Sequence, residues 1–161
     1  MKRHLLILFL VLPLTGLKAQ DIPVYKSFQE YRYLLEKEND TTYIVNYWAT
    51  YCAPCVKEMP AFRKIEDDYA SRPVKIILTS LDFGGNVLKR VRSFMERHGI
   101  RSQVVVLDDP DTNSWIDQVS PQWSGALPAT IIYNKHSRKF HEGIITYEEL
   151  KNIIESNTKQ L

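Results

Sequence analysis

Thr42-Tyr43-Ile44-Val45-Asn46-Tyr47-Trp48-Ala49-Thr50-Tyr51-Cys52-Ala53-Pro54-Cys55 is the stretch on which the reading of this chain turns. Residues 42–48 form an apolar, β-favouring run, which predicts a strand. Beyond the cysteines, Ala61, Phe62, Ile65 and Tyr69 recur at helical spacing and predict a helix with one apolar stripe. The Cys-x-x-Cys pair therefore falls where a strand hands over to a helix. Unpaired backbone N–H groups and the positive end of the helix dipole favour thiolate over thiol at such a position. Cys52 is the expected nucleophile, able to attack a disulfide and form a mixed disulfide. Cys55, one helical turn on, can then attack Cys52 and release the partner.

Working outward, 161 residues with 44% hydrophobic content and only 6 Gly suffice for one well-packed domain without disulfide staples. The start of the chain reads separately. Lys2, Arg3 and His4 precede an apolar run from Leu5 to Leu17, interrupted at Pro13, Thr15 and Gly16. That run is too short to span a bilayer comfortably. Leu17-Lys18-Ala19, followed by Gln20, reads as the end of a secretory signal cut after Ala19, with an uncleaved anchor as the alternative. The expected organisation is a signal peptide over 1–19 and a single domain over 20–161. No cysteine follows the run, so lipid attachment at a mature N-terminal Cys is excluded. The full chain carries 21 basic and 19 acidic residues; loss of Lys2, Arg3 and Lys18, with no acid, leaves 18 against 19 and a net charge of −1. With no basic tract and no aromatic-basic interleaving, nothing points to nucleic acid.

The mature part alternates helix and strand signals without repeats. Ser27-Phe28-Gln29-Glu30 fits a capping box, with Phe28, Tyr31, Leu34 and Leu35 continuing at helical spacing. Val74 to Leu81 reads as a buried strand. Asn86 opens a helix whose inner face is Val87, Val91, Phe94 and Met95, and Gly99 closes it. A strand over 103–107 and a short helix over 111–119 follow. Ala129 to Asn134 and Lys139 to Ile145 flank a polar turn as a hairpin. Thr146-Tyr147-Glu148-Glu149 then repeats the capping-box signature before a last helix to about Ser156. This order implies an α/β fold with a mixed sheet covered on both faces.

Trp48 through Cys55, Pro60 five residues beyond the second cysteine, and Leu127-Pro128 opening the hairpin together resemble the thioredoxin fold, a three-layer arrangement with a central mixed β-sheet flanked by helices. The run Val45-Asn46-Tyr47-Trp48-Ala49-Thr50, continued by Cys55-Val56-Lys57-Glu58-Met59-Pro60, is similar to the exported TlpA-like and ResA-like thiol-disulfide oxidoreductases. The resemblance covers residues 25–156. It implies a periplasmic protein that exchanges disulfides with client proteins, often reducing partners such as apocytochromes c. A membrane electron donor, a monomeric chain and no cofactor or metal beyond the dithiol complete that expectation. It also makes the Leu127–Pro128 bond cis, leaving backbone of Leu127 to pair with an extended partner segment. Tyr51 and Trp123 are expected to line the partner cleft, and Trp48 to pack in the core.

Position 58 lies three residues beyond Cys55, so a carboxylate there can take or return a proton during exchange, or can be a solvated helix glutamate. The resemblance places a functional Glu at this position. Asn46 cannot ionise, which leaves acid-base work to Glu58; it can equally be a core amide. Other readings of the cysteine pair are weaker. His136 and His141 supply zinc-ligand types, but His136 falls in the hairpin turn, roughly 20 Å along the strand from the cysteines at about 3.3 Å per residue. A structural disulfide closing so short a loop contributes only about 2 kcal/mol, against about 4.7 for a 100-residue loop. Val56 rather than His after Cys55 excludes a c-type haem site. A peroxidatic site would want Thr three residues before its Cys, and Thr50 is two before Cys52. Asp108, Asp109 and Asp111 suit turns and helix caps. Thioredoxin-like potentials span roughly −270 to −120 mV; Pro54 and the uncharged Ala53 argue for a reductant. The alternatives are a dithiol oxidant or isomerase, and a thioredoxin-fold binding module holding Cu(I) or a client.

Overall fold

A computed structural model describes residues 21–158. The expected signal segment and its cleavage after Ala19 lie outside the described residues. Strand β1 (Val24–Tyr25) is followed by α1 (Phe28–Tyr31), which tightens into a 3-10 turn over Arg32–Leu35. Then come β2 (Thr42–Trp48), α2 (Ala53–Asp68), β3 (Val74–Ser80), α3 (Val87–His98), β4 (Gln103–Leu107), α4 (Thr112–Val119), β5 (Ala129–Tyr133), β6 (Arg138–Glu142) and α5 (Tyr147–Thr158). The six strands form one sheet in the order β1-β4-β3-β2-β5-β6. The first four pair in parallel, and β5 and β6 join antiparallel.

Every residue of β2 is buried, because helices cover both of its faces. Alternation divides its side chains between two cores. Ile44 and Trp48 pack with Phe62 and Ile65 of α2, Val91 and Phe94 of α3, and Leu150 and Ile154 of α5. Tyr43, Val45 and Tyr47 pack on the other side with Phe28 and Tyr31 of α1 and Trp115 and Val119 of α4. Layering and chain order are those of the three-layer α/β expectation.

The boundaries differ in three places. Val24–Tyr25 adds a short edge strand that its composition did not reveal, parallel to β4. Helix α1 is a single turn: Ser27 Oγ accepts from Glu30 N at 3.4 Å, but Glu30 Oε2 reaches Lys26 N instead of closing the reciprocal arm on Ser27. Strand β6 spans Arg138–Glu142 rather than reaching Ile145, since Gly143 takes φ +100°, a conformation open to glycine, and turns the chain out of the sheet. Its N–H donates to Pro128 O at 2.8 Å, and the next residues hook back into the protein. The second capping box does close: Thr146 N and Oγ1 both donate to Glu149 Oε2, and Thr146 Oγ1 accepts from Glu149 N.

Candidate active site

Parallel strands β2 and β3 deliver their C-terminal ends to one edge of the sheet, and α2 starts there. Cys52 caps α2 from an extended backbone conformation. Its Sγ accepts a hydrogen bond from Cys55 N at 3.3 Å, and its own N–H donates to Ala49 O. The first-turn amide aimed at this sulfur, with the helix dipole behind it, stabilises negative charge on Cys52. The two cysteines are joined as a disulfide. Their surroundings are unequal: Cys52 is partly exposed, whereas Cys55 is fully buried. Of the pair, Cys52 is therefore the residue nearer to solvent.

Beneath them lies Glu58, only 2% exposed. Its Oε1 accepts from Asn46 Nδ2 at 2.8 Å and its Oε2 from Ile145 N at 3.0 Å. Burial raises its proton affinity from an ordinary 4.5 to about 7, against the pull of the Ile145 and Asn46 hydrogen bonds, which favour the anion. Glu58 is thus a desolvated carboxyl one turn from Cys55, with its proton affinity raised toward neutral pH. The solvated-glutamate alternative does not hold. Asn46 is fully buried and also donates to Thr130 Oγ1 at 3.1 Å, while its Oδ1 has no partner among the described residues. Turning this amide would present Oδ1 to a protonated Glu58, so Asn46 can serve either form of the acid.

Two residues before Cys52, Thr50 is clamped by Asp82. Thr50 N and Oγ1 donate to the Asp82 carboxyl at 2.9 and 2.5 Å, Ser80 Oγ donates to it at 2.7 Å, and Arg90 Nε stands 3.8 Å away. Asp82 is completely buried. The clamp ties the cysteine loop to the end of β3 and commits the Thr50 hydroxyl, the group a peroxidatic reading would need. Sequence reasoning missed Asp82; the only signal was a polar Ser80-Leu81-Asp82 step directly after an apolar strand.

The Leu127–Pro128 bond is cis, as the resemblance implied, with Leu127 partly buried and Pro128 buried. Tyr51 is 64% exposed and meets Phe83, 69% exposed, edge to face with centroids 6.2 Å apart. Phe83 had not been anticipated; it borders a cleft of about 290 Å³ that also includes Leu81, Leu107 and Trp115. Trp123 requires a correction. Instead of lining a cleft it is 4% exposed, packed 4.7 Å from the Tyr47 ring in the core on the α4 side of the sheet. Its indole N–H donates to Ala126 O at 2.8 Å, so it props the loop leading to Pro128 from within. Trp48 is in the core, fully buried.

The two histidines are far apart in role. Asn134 Oδ1 accepts from His136 N and Ser137 N, holding His136 in the hairpin turn beside Asp40. Since Tyr133 pairs with Tyr43 and Ala129 with Tyr47, that turn lies at the opposite end of β2 from the cysteines. Among the described residues no group of three or more His, Cys, Asp or Glu side chains could hold a metal ion.

Residues 16–138 match the AhpC/TSA family over most of the chain. The chain belongs to that family. Among relatives of this AhpC/TSA protein, the thiol-disulfide oxidoreductase ResA of Geobacillus thermodenitrificans is 30% identical over 115 residues, covering 70% of this chain and 60% of its own. ResA of Halalkalibacterium halodurans is 27% identical over 113 residues, covering 69% and 59%. The chain thus spans about 60% of the length of these curated relatives. Among solved structures, a thioredoxin-related protein from Neisseria meningitidis serogroup B superposes with a TM-score of 0.66 at 21% identity, covering 78% of this chain and 90% of that one. StoA from Bacillus subtilis does so with a TM-score of 0.57 at 22% identity, covering 71% and 83%. These likenesses establish the thioredoxin-like fold of the AhpC/TSA chain.

Proposed function

We propose that this protein is an exported thiol-disulfide oxidoreductase that reduces disulfides in client proteins. The observation that carries the reading is the graded burial of one dithiol at a helix N-terminus: an accessible Cys52 sulfur, an enclosed Cys55, and the Glu58 carboxyl one turn further in. In the reduced form, Cys52 thiolate attacks one sulfur of the client disulfide. That bond breaks, a Cys52–client disulfide forms, and the other client sulfur leaves as a thiolate that takes up a proton. Cys55 then gives its proton to the Glu58 carboxylate and attacks the Cys52 sulfur. The second client thiolate departs, and two electrons have passed from the protein to the client. The names of the ResA relatives support this chemistry.

An extended client segment would be received by Tyr51 next to Cys52, its ring neighbour Phe83, and the cis Leu127–Pro128 turn. Export through a signal over 1–19, a domain over 20–161, periplasmic clients that include apocytochromes c, a membrane electron donor and a monomeric chain belong to the same proposal. Among the described residues no helix is long and apolar enough to cross a membrane.

The test is glutathione equilibration of the Cys52–Cys55 couple combined with client capture on Cys55→Ala. A potential near the −270 mV of thioredoxin, with client proteins trapped through Cys52, is the expected result. A potential near the roughly −120 mV of strong oxidants would turn the reading to disulfide insertion, and failure both to cycle and to trap would refute it.

A further inference from the structure

The hook after β6 carries two hydrogen bonds that share one peptide group. On its inner side, Ile145 N–H donates to Glu58 Oε2 at 3.0 Å. On its outer side, the carbonyl of the same peptide, Ile144 O, lies 3.1 Å from His141 Nε2. A carbonyl can only accept, so His141 Nε2 carries the hydrogen and donates it. The order is imidazole N–H, peptide C=O, peptide N–H, carboxyl, a continuous chain from a partly exposed ring to a buried acid. Hydrogen bonds in such chains polarise one another, because a donor on the C=O draws charge through the amide and makes its N–H a better donor.

We propose that His141 is a positioning residue for Glu58, acting through the Ile144–Ile145 peptide to strengthen the hydrogen bond that holds the buried carboxylate. The proposal rests on the reading of Glu58 as the group that exchanges protons with Cys55.

Placement favours the link. His141 pairs across the sheet with Thr130, and Thr130 pairs with Asn46, so all three side chains stand on the face toward Glu58. The Gly143 N–H to Pro128 O bond pins the hook beside the cis proline. The charged groups facing His141 are Glu149 on α5, whose carboxyl is held below its usual range chiefly by Thr146 and in smaller part by His141, and Lys139 two residues back on β6. Glu142 is turned away, accepting from Ser124. Facing Glu58 are the neutral Asn46 on β2, the Ile145 amide of the hook and Cys55 one turn back on α2; among the described residues no charged side chain contributes to the shift of its carboxyl.

The experiment follows the Glu58 carboxyl carbon by NMR against pH in the oxidised protein, for wild type, His141→Ala and His141→Gln. The Ala variant removes the outer donor and is expected to raise the Glu58 midpoint by about half a pH unit, a threefold change in proton affinity. Gln places an amide N–H where Nε2 stood and is expected to return the midpoint to the wild-type value. The Ile145 amide proton should move upfield in the Ala variant alone. An unmoved midpoint in His141→Ala, or an equal displacement in both variants, overturns the proposal. The pH profile of disulfide reduction by the reduced protein separates the two readings. If the carboxyl midpoint moves as expected while the rate profile stays in place, the His141 link stands and the role of Glu58 in exchange falls.

Discussion

Replacing Glu58 by Gln tests the most unusual group in the protein. The folded chain holds this carboxyl at about 7, against 4.5 for the ordinary acid, because burial penalises its charged form more than its two hydrogen bonds relieve it. Between those two values the folded state binds more protons than the unfolded state, so stability falls as pH rises through that window. At about 1.4 kcal/mol per pH unit, the full loss attributable to Glu58 is roughly 3 kcal/mol. Gln has the same shape and no charge. Its amide can donate to Asn46 Oδ1 once the Asn46 side chain turns, giving that oxygen a partner it now lacks among the described residues. The expected result is a variant close to wild type at pH 4.5 and more stable by roughly 3 kcal/mol at pH 8. Urea denaturation of the oxidised protein at a series of pH values measures it; both cysteines are disulfide-bonded there and do not titrate. Groups common to the two proteins cancel in the difference. Parallel stability curves for the two proteins would show that burial does not hold Glu58 protonated, and would refute the reasoning.

Asp82→Ala should cost about 3 kcal/mol by urea denaturation, since it strips partners from Thr50 N, Thr50 Oγ1 and Ser80 Oγ at once, and should speed hydrogen exchange at the Thr50 amide; unchanged exchange would argue against the clamp. Trp123→Ala should cost about 4 kcal/mol as a core truncation, whereas a cleft residue would leave the denaturation midpoint in place. Tyr51→Ala combined with Phe83→Ala should reduce client capture on the Cys55→Ala background on the order of tenfold while leaving the reaction of Cys52 with a small disulfide unchanged. An equal loss with the small disulfide would assign the aromatics to the cysteine loop instead of the client surface.

Local pattern carried the sequence reading wherever one element suffices to define a feature. The run Thr42 to Trp48 and the stripe Ala61, Phe62, Ile65, Tyr69 announce a strand and a helix, and the covalent order of Cys52 and Cys55 puts one sulfur at the cap and the other a turn inside. Gly99 ends α3 with φ +60°, as a glycine after a periodic run should. The features that were missed or misplaced each depend on a second element. Trp123 has the same side chain in a cleft or in a core, and only the packing of Tyr47 and Trp115 against it decides for the core. Asp82 is an ordinary polar residue until the parallel pairing of β2 and β3 sets Thr50 beside it. Glu58 was legible as a candidate from its distance to Cys55, but its altered acidity was not. That property arises from water exclusion by β2, β5 and the hook at Ile145, and from donors contributed at sequence separations of 12 and 87 residues. Periodicity, capping and spacing are properties of neighbours along the chain, so sequence alone determined the dithiol and most of the elements, but not the β1 edge strand or the extents of α1 and β6. Desolvation and hydrogen-bond partnership are properties of neighbours in space, so only the tertiary structure decided which carboxyl is tuned, which aromatics are exposed and which residue braces the loop that carries Cys52.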